Sequence, residues 1–339
     1  MKDSLLVQKL KNYQIKELNL KLFDFLIRLV CFMILITGAS GYIGYHLVLK
    51  LSSRNLILAT DIDDLYSLSY IKNVTFIKGD ISDYSFQKSL FKNKKIRAVV
   101  HLAAEKNLEI CESAFRTIKG INYNTTISLG KLANENNIHF IFMSSDQIFA
   151  GNRGNYKEFD KPSPINKYGM LKYSAERELK EYQKVSICRT ALVFGNLIKF
   201  DINIVNSFLN KETLFNQSYI VQHVLLRLMQ NKSVFLPNNE FVTPTYINQL
   251  IKEIEIIINR ELFGVFHCSG NERVSRYQMG IMIAKISNLN TNLIKGYQVS
   301  NDSIRPKDVS LDPKFTINQL GIEPSSLENS IHQIIVDKD

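Results

Sequence analysis

Short apolar runs recur along the chain, and the stretches between them carry helical periodicity. The run MILIT (33–37) leads into a glycine-rich turn and then into Ile43, Leu47, Val48 and Leu51 at helical spacing, which predicts strand, loop and helix in that order. Further strands are predicted at LILATD, NVTFIKGD, AVVHLAA, HFIFMSS and VSICRTALVF, separated by helical patterns such as Thr125 to Glu135. Strands alternating with helices predict an α/β protein with a doubly wound parallel sheet covered on both faces. Beyond Gly195 the rhythm loosens. Residues 196–239 read as polar and irregular, a helix is predicted after Tyr246, and FGVFHCSG reads as one more strand. This predicts a main domain over 33–195, which regains a segment near 240–262, followed by a smaller C-terminal α/β domain over 196–339.

Composition narrows the classes. Of 339 residues, 45% are hydrophobic and 22% charged, which excludes a disordered, collagen-like or many-span membrane chain. The net charge of +10 favours anionic partners. No run of five like charges and no zinc-finger spacing occurs, so a phosphorylated small molecule is expected and nucleic acid is not. Cys31, Cys111, Cys188 and Cys268 are widely separated and indicate neither a disulfide framework nor a metal site, as suits a reducing, cytoplasmic compartment. The stretch LKLFDFLIRLVCFMILI is broken by Asp24 and Arg28, and falls short of the roughly 20 apolar residues of a membrane span. Residues 1–32 carry six basic and three acidic residues, a net +3. They read either as a basic amphipathic helix for a membrane surface or as an extension ahead of a start at Met33.

Candidate chemistry begins at Thr37-Gly38-Ala39-Ser40-Gly41-Tyr42-Ile43-Gly44, between the first predicted strand and helix. Glycines there let the backbone approach a pyrophosphate, and the N–H groups at the helix start stabilise its charge. Asp61 follows at the end of the second strand. Its carboxylate suits ribose hydroxyls and repels a 2′-phosphate, which favours NAD over NADP; Asp63 and Asp64 are neighbours able to take the same role. A second motif pairs Tyr168 with Lys172 one helical turn apart, where the ammonium is expected to lower the tyrosine pKa and make the phenol a better acid or base. The spacing alone says little, because chance supplies about one such pair in a chain of this composition. The other pair, Tyr84 with Lys88, reads as a surface contact.

Taken in order, TGASGYIG, GDISD, VVHLAAE, INYNTT, FMSSDQIFAG, PSPINKYGMLKYSAERE and RTALVFG resemble the extended short-chain dehydrogenase/reductases. Within them the chain is most similar to the dTDP-4-dehydrorhamnose reductase branch and to the related methionine adenosyltransferase beta subunit. FVTPTY, FHCSGNERVSRYQM and IRPKDVSLD extend the likeness to about Ile322. The resemblance implies a Rossmann-type fold binding NAD or NADP. It implies that Ser145 hydrogen-bonds the substrate oxygen, Tyr168 exchanges the proton, and Lys172 holds the nicotinamide ribose. It sets Gly38, Gly41, Tyr42, Ile43 and Gly44 around the cofactor, Asp80 and Ile81 beside its adenine, and Ala103 and Ala104 along it, and makes Asn122 structural. A nucleotide-sugar substrate and a homodimer are the further implications.

Departures from the family pattern shape the functional expectation. Dehydratases of this superfamily carry an Asp-Glu pair after the catalytic Ser or Thr, whereas here Asp146 is followed by Gln147, so dehydration is not expected. Leu192 stands where the rhamnose reductases have a tryptophan near the nucleotide base. Asp146 and Leu192 are therefore read as substrate-facing positions, with Arg305 as the candidate diphosphate contact and Arg273 and Arg276 as alternatives. His101 reads as a packed core residue. The expected function is NAD(P)-dependent reduction of a 4-keto nucleotide sugar for surface-polysaccharide precursors, the alternatives being a nucleotide-sugar epimerase or a non-catalytic nucleotide-binding regulatory subunit.

Overall fold

A computed structural model of the chain describes residues 33–64, 67–92, 95–198, 217–300 and 302–336. The N-terminal stretch 1–32, read above as a basic amphipathic segment or extension, lies outside the described residues. Seven strands form one parallel sheet in the order β3-β2-β1-β4-β5-β6-β11. These are β1 (Met33–Thr37), β2 (Leu56–Asp61), β3 (Val74–Lys78), β4 (Ile96–His101), β5 (His139–Ser145), β6 (Val185–Thr190) and β11 (Gly264–His267). Each apolar run contributes a strand to it, although VSICRTALVF is split, its last residues Val193–Phe194 leaving the sheet to pair elsewhere, and the fold is the doubly wound α/β class expected.

Period-two alternation explains why the strands are apolar throughout. In β1, Ile34 and Ile36 face one hydrophobic cluster with Leu47, Val48 and Leu51 of helix α1 (Tyr42–Leu51). Leu35 faces the other with Phe140 and Phe142 of β5. Both faces are buried, so both parities of the strand are hydrophobic. Strand order reverses between β1 and β4, and chains leaving the carboxyl ends of those two strands diverge to opposite sides. That leaves a crevice above the sheet where ligands of such folds sit.

Past β6 lie β7 (Val193–Phe194), β8 (Val234–Pro237), β9 (Phe241–Val242), β10 (Thr245–Tyr246), β12 (Val274–Ser275) and β13 (Ile294–Tyr297), which form three small pairs: β7 with β10, β9 with β12 and β8 with β13. The stretch 196–239, read from the sequence as irregular, also contains a ten-residue helix, Ile220–Met229, as well as β8. Residues 199–216 of that stretch lie outside the described residues. The predicted helix after Tyr246 spans Ile247–Arg260 and packs against α1 through an apolar face of isoleucines and leucine. Among the described residues no helix is long and apolar enough to cross a membrane. Tyr84 and Lys88 form the expected surface contact, the ammonium 4.9 Å from the ring centroid.

The 247–260 helix also buries one carboxyl. Glu253 accepts a hydrogen bond from Gln249 Nε2 at 2.8 Å, and burial pushes its pKa up to about 8. A carboxyl raised in the folded state stabilises the protein while protonated, and that contribution fades as pH rises from the ordinary carboxylate range through 8. The Tm of Glu253→Gln relative to the parent should therefore climb between pH 5 and 9 in calorimetry. Parallel Tm curves would locate no ionisation at Glu253.

Candidate functional site

The turn after β1 is built for close approach. Gly38 has φ +68°, and a Cβ there would lie 2.6 Å from the Ala103 nitrogen; a Cβ on Gly44 would lie 2.2 Å from the Gly38 oxygen. Only glycine lets the turn touch the chain leaving β4 and lets α1 pack down on the turn. Gly41 caps α1 without a side-chain hydrogen bond, leaving its first-turn N–H groups to face the crevice. Asp61 accepts from Ser40 N at 2.9 Å and from Ile62 N at 2.8 Å, so its carboxylate is fixed at the end of β2 against the turn. Asp63 is paired with Lys78 at 2.6 Å, and Asp64 accepts from Leu68 N at 2.7 Å. Of the three candidates, Asp61 is the one whose carboxylate is bound to the glycine turn; Asp63 meets the turn through its backbone carbonyl, which accepts from Ser40 Oγ at 2.6 Å. Tyr42 turns its hydroxyl toward Asn196 O at 3.1 Å and packs edge-on against Tyr219, tying the turn to the segment after β7. Across the crevice Asp80 is exposed and accepts from Ser82 N, Ile81 is buried, and Ala103 and Ala104 are half-buried at the exit from β4.

A buried polar chain fixes that exit. Thr37 Oγ1 lies 2.7 Å from His101 Nδ1, and His101 Nε2 lies 3.0 Å from Thr126 Oγ1, which donates to Asn122 O. Because the Thr126 proton is used, the bonding pattern places the imidazole proton on Nε2. Burial, with Lys172 nearby, holds His101 far below its ordinary pKa, at about 3, so it is a neutral core residue as its strand position suggested. Asn122 sits in a one-turn π-helix, Gly120–Asn124, and its amide grips both the N–H and the carbonyl of Glu105 at 2.8 and 2.7 Å. The π-turn aims this side chain across the loop.

Ser145, Tyr168 and Lys172 come together at the top of β5. Helix Lys167–Leu179 starts at Asn166, whose side chain accepts from Gly169 N at 2.8 Å. One turn separates Tyr168 from Lys172, whose Nζ donates to Met143 O at 2.8 Å and lies 4.7 Å from the Phe142 ring centroid. Burial brings the lysine down to about 8 and pushes the tyrosine well up, with the Asp146 charge adding to the rise and Ser145 opposing it. That is the opposite of the lowered phenol expected from the spacing. Lys172 is directed at a carbonyl on β5, with its Nζ 5.8 Å from the Tyr168 ring centroid, and removal from water outweighs its charge.

Behind the trio, Glu176 makes a bidentate pair with Arg189 of β6 at 3.0 and 2.7 Å and accepts from Ser144 Oγ at 2.6 Å. Both charged side chains are buried, and Arg189 also donates to Glu158 O. The pair thus joins the Lys167–Leu179 helix to β5 and β6. In front of the trio, Ser145 Oγ lies 2.8 Å from Asp146 Oδ1, and Gln147 Nε2 reaches the same oxygen at 3.3 Å. Cys111, which the sequence reading left without a role, is buried beside Glu105 O, and burial raises its thiol to about 11; it is a packing thiol.

Segments beyond β8 contribute arginines. Asn166 Nδ2 holds Ile304 O at 3.0 Å, bringing the half-buried Arg305 to the site; among the described residues its guanidinium has no hydrogen-bond or ion-pair partner. Arg276 donates to Glu240 at 2.8 Å and feels both Arg305 and Asp146. Arg273, weighed above as an alternative, is bound through two nitrogens to Asp308 and lies over the Phe241 ring, which removes it from the ligand side. Leu192 is buried in the larger core cluster.

Comparison with known proteins agrees with this architecture. The family described as the RmlD substrate binding domain matches residues 32–339. The methionine adenosyltransferase 2 subunit beta of Danio rerio is 25% identical over 309 residues, 88% of each chain. A hypothetical dTDP-4-dehydrorhamnose reductase from Sulfolobus tokodaii superposes with a TM-score of 0.71 at 25% identity, over 87% of this chain and 98% of that one. The Bacillus anthracis dTDP-4-dehydrorhamnose reductase solved with NADP gives 0.72 at 20% identity, over 91% and 100%.

Removing one partner of the buried pair leaves the other charge unmatched. Glu176→Ala is expected to cost about 3–5 kcal/mol of stability, read from urea unfolding, while Glu176→Asp should lose less. An Ala variant as stable as the parent would remove the pair from the framework of the site.

Proposed function

The chain belongs to the RmlD substrate-binding-domain family, and from that premise we propose that it reduces a 4-keto nucleotide sugar at the expense of a reduced nicotinamide cofactor. The observation that carries this reading is the convergence of Ser145, Tyr168 and Lys172 above the open glycine turn, with Arg276 and Arg305 on the facing side. The turn and the N-terminus of α1 suit a pyrophosphate, Asp61 suits the adenosine ribose, and Ala103 and Ala104 line the exit from β4. When bound, the nicotinamide supplies the hydride. Tyr168 supplies the proton to the substrate oxygen: its raised pKa keeps the phenol protonated at neutral pH, the form a reduction requires. Lys172, fixed on Met143 O, holds its charge beneath the site, and Ser145 positions the oxygen. Arg305, with a free guanidinium fork, suits a diphosphate oxygen.

Two features favour NAD over NADP. Asp61 is fixed where a 2′-phosphate would sit, and Lys78, the neighbouring cation, is already paired with Asp63. A second reading rests on the relatives named methionine adenosyltransferase 2 subunit beta, of which the Danio rerio protein matches 88% of the chain, against 87% for the Sulfolobus tokodaii reductase. On that reading the nucleotide fold serves a binding subunit, which co-purifies stoichiometrically with a methionine adenosyltransferase and turns over no sugar.

The deciding measurement is loss of nicotinamide absorbance when the protein and NADH or NADPH meet a panel of 4-keto nucleotide sugars. Turnover is expected with a lower KM for NADH. Tyr168→Phe should reduce kcat by at least about 10²-fold while cofactor affinity, read by NADH fluorescence, stays within a few-fold. Silence across the panel with cofactor bound would overturn the reductase reading.

A further inference from the structure

Ser145 has one proton and two lone pairs to distribute. Its Oγ accepts the Gln147 N–H at 3.2 Å and faces Asp146 Oδ1 at 2.8 Å. While Asp146 is ionised it can only accept, so the single Ser145 proton is committed to the carboxylate and is not offered to a substrate oxygen. We propose that Asp146 is a positioning residue whose own proton decides where Ser145 points its hydrogen. Protonated, Asp146 donates to Oγ, and the Ser145 proton is released toward the substrate carbonyl; ionised, Asp146 recaptures it. The proposal rests on the reductase reading above. The proton balance of that reaction is unchanged: hydride goes to the carbonyl carbon, the Tyr168 proton goes to its oxygen, and the protons of Ser145 and Asp146 remain where they are.

The surroundings of the carboxyl support a titration at working pH. Burial raises Asp146 to about 6, while Ser145, Gln147 and the positive charge of Arg276 resist the rise. The charged and titratable groups facing it are Tyr168 from the catalytic helix and Arg276 from the helix Arg276–Ile286, the latter paired with Glu240 and beside Arg305. Gln147 keeps the carboxyl in register: its Nε2 donates to Asp146, and its Oε1 accepts from Asn166 Nδ2 at 3.2 Å. A glutamate at that position would set a second carboxylate against Asp146 and reverse this bonding.

Two readouts test the coupling. Carbon NMR of protein labelled at aspartate carboxyls, with the signal identified by its loss in Asp146→Asn, should show a midpoint near 6. Ser145→Ala, which removes a donor to the carboxylate, should move that midpoint upward. A midpoint in the ordinary carboxylate range, or one indifferent to Ser145→Ala, overturns the proposal without any substrate. With a turned-over sugar, kcat/KM of the parent should fall about tenfold per pH unit above the Asp146 midpoint. Asp146→Asn, which has no carboxyl to titrate in this range, should lose this limb. An unchanged limb in the variant refutes the proposal, whereas absence of turnover in the parent counts against the reductase reading alone, with the NMR midpoint still deciding the Asp146–Ser145 coupling.

Discussion

The Glu176–Arg189 pair sets the geometry on which the site depends. Two opposite charges removed from water and matched through two parallel hydrogen bonds tolerate little displacement, since each ångström of slippage exposes an unpaired charge to a low-dielectric interior. Glu176 belongs to the helix of Tyr168 and Lys172, Arg189 to β6, and Ser144, which donates to the same carboxylate, immediately precedes Ser145 on β5. One ionic contact therefore fixes the axial position of the helix relative to both strands. Its value is positional, because well-packed apolar residues often replace such pairs at no loss of stability.

On the cofactor side of the crevice the same task falls to neutral groups. The chain from Thr37 through His101 and Thr126 to Asn122 ends on the backbone of Glu105, so the loop leaving β4 is tied to β1 and to the π-turn at once. Every proton along it has one assigned place, which holds the imidazole in a single tautomer. A charged His101 would oblige Thr37 to turn its proton away and accept instead, and burial disfavours the charge. The two halves of the crevice are thus rigid for different reasons, one electrostatic and one through donor and acceptor matching.

Much of this was legible in the residues. Apolar runs with helical intervals give the strands of a doubly wound sheet, because a sheet buried on both faces leaves no polar parity to confuse the pattern. The glycine turn is visible because close approach admits no other residue. The helix Ile220–Met229 was not visible, since its buried face includes His223 and Arg227, the latter satisfied by the Ser233 carbonyl, and such residues read as solvent-facing in a sequence. The choice among Arg273, Arg276 and Arg305 likewise depends on partners distant along the chain, Asp308 and Glu240 among them. Spacing placed Lys172 near Tyr168 but carried no information about how deeply both are buried, and burial decides the direction of the phenol pKa.

Asp61 has two obligations that meet in one carboxylate. It presents negative charge at the end of β2 and receives the Ser40 N–H of the glycine turn. A lineage moving toward a phosphorylated ribose would have to exchange that charge for space or for a cation, and the same exchange would leave the turn's N–H without its acceptor. With Asp61 in the role proposed for it, cofactor choice is consequently not a trait that one substitution can reverse cleanly. The swap has to arrive together with a replacement anchor for the turn, and the intermediate sequences would hold either cofactor less well.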